Sequence, residues 1–169
     1  MRTRRRIFSI CIVLLFMLAD ASVLPFTGIN MLYAPKLALA AAITIALVMG
    51  RTQGMIYGAF AGIITDITVS VPIGLTTGLY TMCALASGFL GRKMRSHLMS
   101  TVLAALLGFI MYELAMFVYF TLSYSAFDWQ RLKYAFLRCI IGTLLVQILY
   151  IPFNAILKPR RSRYSETRL

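Results

Sequence analysis

The sequence predicts an all-α membrane protein: a polytopic bundle of six transmembrane helices, with both termini in the cytoplasm. Three observations carry that expectation. Hydrophobic residues make up 60% of the 169 and charged residues only 13%, about half the charged share of an ordinary soluble domain. The apolar residues fall into six runs, each near the ~20 residues that cross a bilayer. The cations gather at the ends of those runs, where lysine and arginine set topology. With the N-terminus inside, Arg2, Arg4, Arg5 and Arg6 lie on the inner side, followed by Arg51, Arg92, Lys93 and Arg95. The tail adds Lys158, Arg160, Arg161, Arg163 and Arg168, and only Lys36, Arg131 and Lys133 fall outside. The formal net charge of +12 is thus explained by lipid headgroups and topology, and nucleic acid is not an expected partner.

Taken in order, the spans are expected at 7–24, 34–50, 54–70, 73–91, 98–124 and 132–157, and residues 1–169 form one integral membrane domain. The first follows the basic start Met1–Arg6. It is long, no small-residue cleavage site precedes a soluble domain, and it reads as an uncleaved helix. Pro25 and Gly28 end it. The second opens at Ala34-Pro35-Lys36, proline being tolerated in a first turn, and carries alanines 34, 38, 42 and 46 at four-residue spacing. Arg51-Thr52-Gln53 reads as a polar turn. Val71-Pro72 breaks the chain before the fourth span, and the basic loop containing His97 precedes the fifth. That span is long enough to require tilt or projection. The loop 125–130 carries Trp129, suited to a membrane interface, and the sixth span leads into the basic tail.

Two groups of residues stand out. Gly54, Gly58 and Gly62 recur every four residues and so share one helix face, with Asp66 one step further on. Gly74 and Gly78 repeat the spacing in the fourth span. Such ridges let helix backbones approach in lipid, and these five glycines are the candidate helix-packing or partner interface. The second group is ionisable: Asp20, Asp66, Glu113 and Arg138 all lie inside spans. From the predicted orientation, each falls in the outer half of the bundle. An intramembrane charge generally has a partner, so Asp66–Arg138 or Glu113–Arg138 is expected as a buried ion pair, with Asp66–Arg138 tested first. Such a pair can be purely architectural, or the acids can line a polar cavity that opens outward.

Catalytic, metal and cofactor chemistry is not expected. Cys11, Cys83 and Cys139 are widely spaced within apolar runs, which favours small core residues over a disulfide framework or metal site. His97 is the only histidine, and no phosphate-binding loop or nucleophile elbow is present. Asp66 lacks the Gly-x-Gly-Asp context of intramembrane aspartyl proteases. The Asn-x-x-Asn-x-x-Asp-Arg stretch of lipoprotein signal peptidase is also missing.

The stretch Gly58-Ala-Phe-Ala-Gly62-Ile-Ile-Thr-Asp66, with Gly74 after a short break and Pro35 opening the preceding span, resembles the rod shape-determining protein MreD family. Thr65 and Lys36 depart from its pattern, and the motif covers residues 35 to 91. The resemblance implies a non-catalytic scaffold of the cell-wall elongation machinery, multi-pass in the bacterial inner membrane and involved in peptidoglycan synthesis and regulation of cell shape. It also implies association with the single-span protein MreC. Through MreC come the MreB filament, RodA and a penicillin-binding transpeptidase. The MreD family is in turn similar in fold to the substrate-binding components of energy-coupling-factor transporters, which makes a small-molecule transport component the alternative function. Those components carry an Ala-x-x-x-Ala ridge in the first span; here the ridge lies in the second.

Overall fold

A computed structural model describes Leu15 and residues 36–68, 74–93, 97–124 and 129–157. Every element among the described residues longer than a single position is an α-helix: α1 (Leu37–Met49), α2 (Arg51–Thr68), α3 (Leu75–Lys93), α4 (His97–Tyr124) and α5 (Trp129–Leu157). They correspond to the second through sixth expected spans. The first span, with Asp20 and Cys11, lies outside the described residues apart from Leu15, which is helical.

The boundaries differ from expectation where glycine acts. Arg51-Thr52-Gln53 is the first turn of α2, and the reversal between α1 and α2 is made by Gly50 alone, with φ 105°. Only glycine adopts that conformation without steric cost. The amide of Gly50 closes α1 by donating to the carbonyl of Ala46. Gly74 likewise has φ 101° and precedes α3, so it is a turn residue, outside the helical ridge assigned to it. Pro152 lies within α5, which continues to Leu157.

α1 is the centre. It packs against α2, α3, α4 and α5, while those four pack in sequence order around it, α2 on α3, α3 on α4 and α4 on α5. Nine consecutive residues, Ala38 to Ala46, are at most 1% exposed. Nine residues are two and a half turns, so every side of α1 is covered. Its small side chains permit this crowding: with alanine at 38, 40, 41, 42 and 46, neighbouring backbones come close enough for dispersion contact on all sides.

The outer helices show the reverse pattern. α4 exposes Met99, Val102, Leu103, Leu106, Leu107, Ile110, Met111, Leu114 and Val118, a stripe at three- and four-residue spacing. α5 exposes Leu132, Phe136, Ile140, Leu144, Ile148 and Ile151, and α2 exposes Ile56, Phe60, Ile63 and Ile67. Polar residues sit within: Thr44, Asp66, Ser87, Thr101, Glu113 and Thr143 are buried. Continuous apolar surface outside and polar groups inside is the arrangement a lipid solvent favours. Met99–Ser123 and Leu132–Asn154 are each long and apolar enough to cross a membrane. At 1.5 Å per residue, the 28 residues of α4 and 29 of α5 extend about 42 and 44 Å, beyond the ~30 Å of hydrocarbon.

Candidate functional site

Glycine contacts set the register between α2 and its neighbours. A side chain at Gly54 would overlap Ala46 of α1, and one at Gly62 would overlap the backbone of Thr77 in α3. A Cβ at Gly58 would lie 2.9 Å from the carbonyl oxygen of Tyr80 and 3.2 Å from the Cβ of Ala84. Gly62 opposite Thr77, and Gly58 opposite Tyr80 and Ala84, fix α2 and α3 as an antiparallel pair. Gly74 and Gly78 behave differently. A Cβ at either meets nothing within 4 Å, and both are exposed. Among the described residues they pack no helix, so only a partner could use them as an interface.

That register brings Asp66, in the last turn of α2, to the start of α3. Its Oδ2 accepts hydrogen bonds from the amide of Gly74 (2.9 Å), the amide of Thr77 (3.1 Å) and the hydroxyl of Thr77 (2.6 Å). Its Oδ1 accepts from the amide of Thr76 at 3.0 Å. The first amides of a helix have no partner inside it, and the helix dipole makes that end positive. Asp66 therefore caps α3 from a different helix. It is 3% exposed, and burying a charge at that depth costs roughly 2.5–3.5 kcal/mol on insertion scales. Four hydrogen bonds to a charged acceptor, at about 1.5–3 kcal/mol each, offset that cost. No counter-ion is required.

The expected Asp66–Arg138 pair is therefore not formed. Arg138, in α5, lies instead 3.1 Å from Glu113 of α4, through Nη2 and Oε2. The alternative pairing expected for Arg138 is the one present. The Glu113 side chain is 7% exposed and that of Arg138 18%. Glu113 Oε1 and Arg138 Nε have no hydrogen-bond partner among the described residues. This ion pair joins α4 to α5.

Smaller polar contacts complete the bundle. The Ser87 hydroxyl donates to the carbonyl of Ala104, joining α3 to α4 at 2.9 Å, and Thr101 donates to Gln147 Oε1 at 3.3 Å, joining α4 to α5. Tyr80 and Tyr112 meet edge to face with centroids 5.5 Å apart. Gly142 lies against the ring of Phe109. Cys83 and Cys139 are buried free thiols. Sequence reasoning missed Thr76 and Thr77 as partners of Asp66, although a Gly-Leu-Thr-Thr start after a proline break marks a helix whose first amides need an acceptor. It also missed Ser87, Gly142 and Gly108, the last lying against the Ser87 hydroxyl and Ile43; none of the three carries a periodic signal.

A family model described as rod shape-determining protein MreD matches residues 1–159. The chain belongs to the MreD family. The match extends well beyond residues 35 to 91, where the motif resemblance lies, and reaches into the basic tail. It makes this a membrane protein with a role in rod-shape determination, in a family of structural proteins and not a known enzyme family. Neither the comparison with curated proteins nor that with solved structures returned a match. In MreD terms, the Gly-x-x-x-Gly-x-x-x-Asp helix is α2, and its physical content is now explicit. The glycines seat α3, and the aspartate holds the first turn of α3 in place.

Proposed function

We propose that this MreD-family chain is a non-catalytic scaffold of the cell-wall elongation machinery in the bacterial inner membrane. In this reading it is one domain crossing the bilayer six times, with both termini cytoplasmic. It associates with an MreC-like single-span protein, and through it with MreB, RodA and a penicillin-binding transpeptidase. The observation that carries the reading is the use made of the two buried carboxylates. Asp66 fastens α2 to α3, and Glu113 fastens α4 to α5. Both act as fasteners between helices, which serves a rigid surface for other membrane proteins. The alanine ridge argues the same way: Ala38, Ala42 and Ala46 are buried within the bundle and are not offered to a transporter's coupling subunit.

The test is complementation of an MreD-depleted rod-shaped bacterium, with pull-down of the tagged protein from the rescued cells. Restored rod shape with recovery of the MreC-like protein and cell-wall synthases is expected. Recovery of a vitamin and an ATPase module without shape rescue would establish the transporter reading. Topology is read separately: a reporter fused at Leu169 should be active in the cytoplasm, and one at Asp128 outside.

A further inference from the structure

Contacts between neighbouring helices fix their relative heights. Ser87 meets Ala104 and Tyr80 meets Tyr112 across the antiparallel α3 and α4, which puts Leu75, the first residue of α3, level with Phe117. Gly142 lies on Phe109 and Arg138 on Glu113 across α4 and α5, which puts Phe117 level with Lys133. Asp66 meets Thr76 and Thr77, so α2 ends at the same height. Among the described residues, 118–124 of α4 and 129–132 of α5 stand above that level. At 1.5 Å per residue, the rise on α4 is about 10 Å.

Helices α2 and α3, of 18 and 19 residues, rise about 27 and 28 Å, close to the ~30 Å of hydrocarbon. The top of the α4–α5 hairpin therefore stands in the headgroup layer, and its side chains suit that place. Trp129, Leu132, Lys133 and Phe136 are all exposed and lie at i, i+3, i+4 and i+7, on one face of α5. A lysine set in an apolar face lays its aliphatic stem along that face and lifts its ammonium to the polar layer. Tryptophan belongs at the same depth. On α4, Val118 and Leu122 are 46% and 78% exposed. They continue the lipid-facing stripe that begins at Met99, and no charged residue is exposed between them. A protein interface is bordered by a polar rim, whereas this surface runs on unbroken from the part that lipid covers.

We propose that the top of the α4–α5 hairpin is a phospholipid-headgroup site. Lys133 takes the phosphate of an anionic lipid, and Trp129, Leu132 and Phe136 lie along its glycerol and upper chains. The sequence from 117 to 134 carries two cations, Arg131 and Lys133, against one acid, Asp128, a balance that attracts lipid phosphate. The leaflet is the outer one in the six-span topology proposed above, and that assignment alone rests on it.

Trp129 is the only tryptophan in the chain, so the fluorescence of the full-length protein in vesicles reports this site alone. Phosphatidylcholine brominated on its chains close to the glycerol should quench it more strongly than phosphatidylcholine brominated near the chain ends. Stronger quenching by the deep bromines, or quenching by aqueous iodide with none from either lipid, overturns the placement. Native mass spectrometry of the detergent-solubilised protein then counts retained phosphatidylglycerol. Lys133→Gln should retain it about fivefold more weakly than the parent, the weight of one cation near an anionic surface, and inorganic phosphate should not displace it. Equal retention by the two proteins, or displacement by inorganic phosphate, overturns the lipid site. A photo-reactive residue at Leu122 should capture lipid in membranes, and capture of protein alone would overturn the proposal in favour of a protein partner. These readings report depth and lipid, while the reporters at Leu169 and Asp128 report side, so a wrong orientation is distinguished from a wrong site.

Discussion

Asp66 and Glu113 are both carboxylates inside a lipid-facing bundle, and they are stabilised by opposite means. Asp66 is surrounded by backbone: three amides and one hydroxyl from the first turn of α3 converge on it. Glu113 is matched to a side-chain charge, Arg138, on the neighbouring helix. The difference follows from position. Asp66 lies where a helix begins, and a helix start supplies donors and a positive dipole end at no extra cost. Glu113 lies mid-helix, where every nearby amide is already committed to its own helix, so only a side-chain cation can answer it. The first fastener depends on backbone geometry. The second depends on the identity of two residues, and so it can be replaced.

That contrast makes Asp66→Ala the most damaging change. It leaves three amides and a hydroxyl without their acceptor, each at about 1–3 kcal/mol when buried. The α2–α3 pair should loosen, with folded protein in detergent nearly lost. Arg138→Leu in addition should recover none of it. Asp66→Asn should fall in between, because an amide offers one oxygen where the carboxylate uses two, and its NH2 would face the Thr76 amide, a donor against a donor.

Glu113→Ala comes next. An unpaired buried charge costs roughly 3–5 kcal/mol, and apolar replacement of both partners is often tolerated. Thermal unfolding in detergent should show Glu113→Ala strongly destabilised and Glu113→Leu with Arg138→Leu close to the parent. A double variant as damaged as the single would give Glu113 a role beyond the pair.

The glycines sharpen the comparison at smaller scale. Gly62→Leu drives a side chain into the Thr77 backbone, an overpacking of about 1–3 kcal/mol or more, and it shifts the helix that Asp66 must cap. Reduced accumulation and a lower unfolding temperature are expected, and normal behaviour would mean that α2 and α3 are not seated there. Gly78→Ala is the mildest. Nothing lies within 4 Å of the added methyl, and alanine is favoured over glycine in a helix interior by up to about 1 kcal/mol. Stability should hold or rise slightly. Loss of rod shape without loss of stability would place a partner on that face.

Much of this fold is legible in the sequence, because long apolar runs broken by Gly50, Pro72 and basic loops leave few choices of span. The pairings are not. A run that is apolar all round does not reveal which way its helix is turned about its axis, and a rotation of about 100° exchanges Arg138 for Leu137 at an interface. Matching depth made Asp66 and Arg138 look like partners, whereas Gly58 and Gly62 turn Asp66 toward α3. The centrality of α1 is hidden for a related reason. In a soluble protein, an all-apolar helix stands out as buried; here every span is apolar, and only the alanine content of 38–46 distinguishes it.

The central claim is that the two carboxylates are held independently, one by a helix start and one by Arg138. It is tested most directly by two double-mutant cycles on unfolding in detergent, sharing Arg138→Leu and pairing it with Glu113→Leu or with Asp66→Asn. The account predicts strong coupling, on the order of 1 kcal/mol or more, between Glu113 and Arg138, and additivity within about 0.5 kcal/mol between Asp66 and Arg138. Coupling of Asp66 to Arg138, with additivity at Glu113, would contradict it.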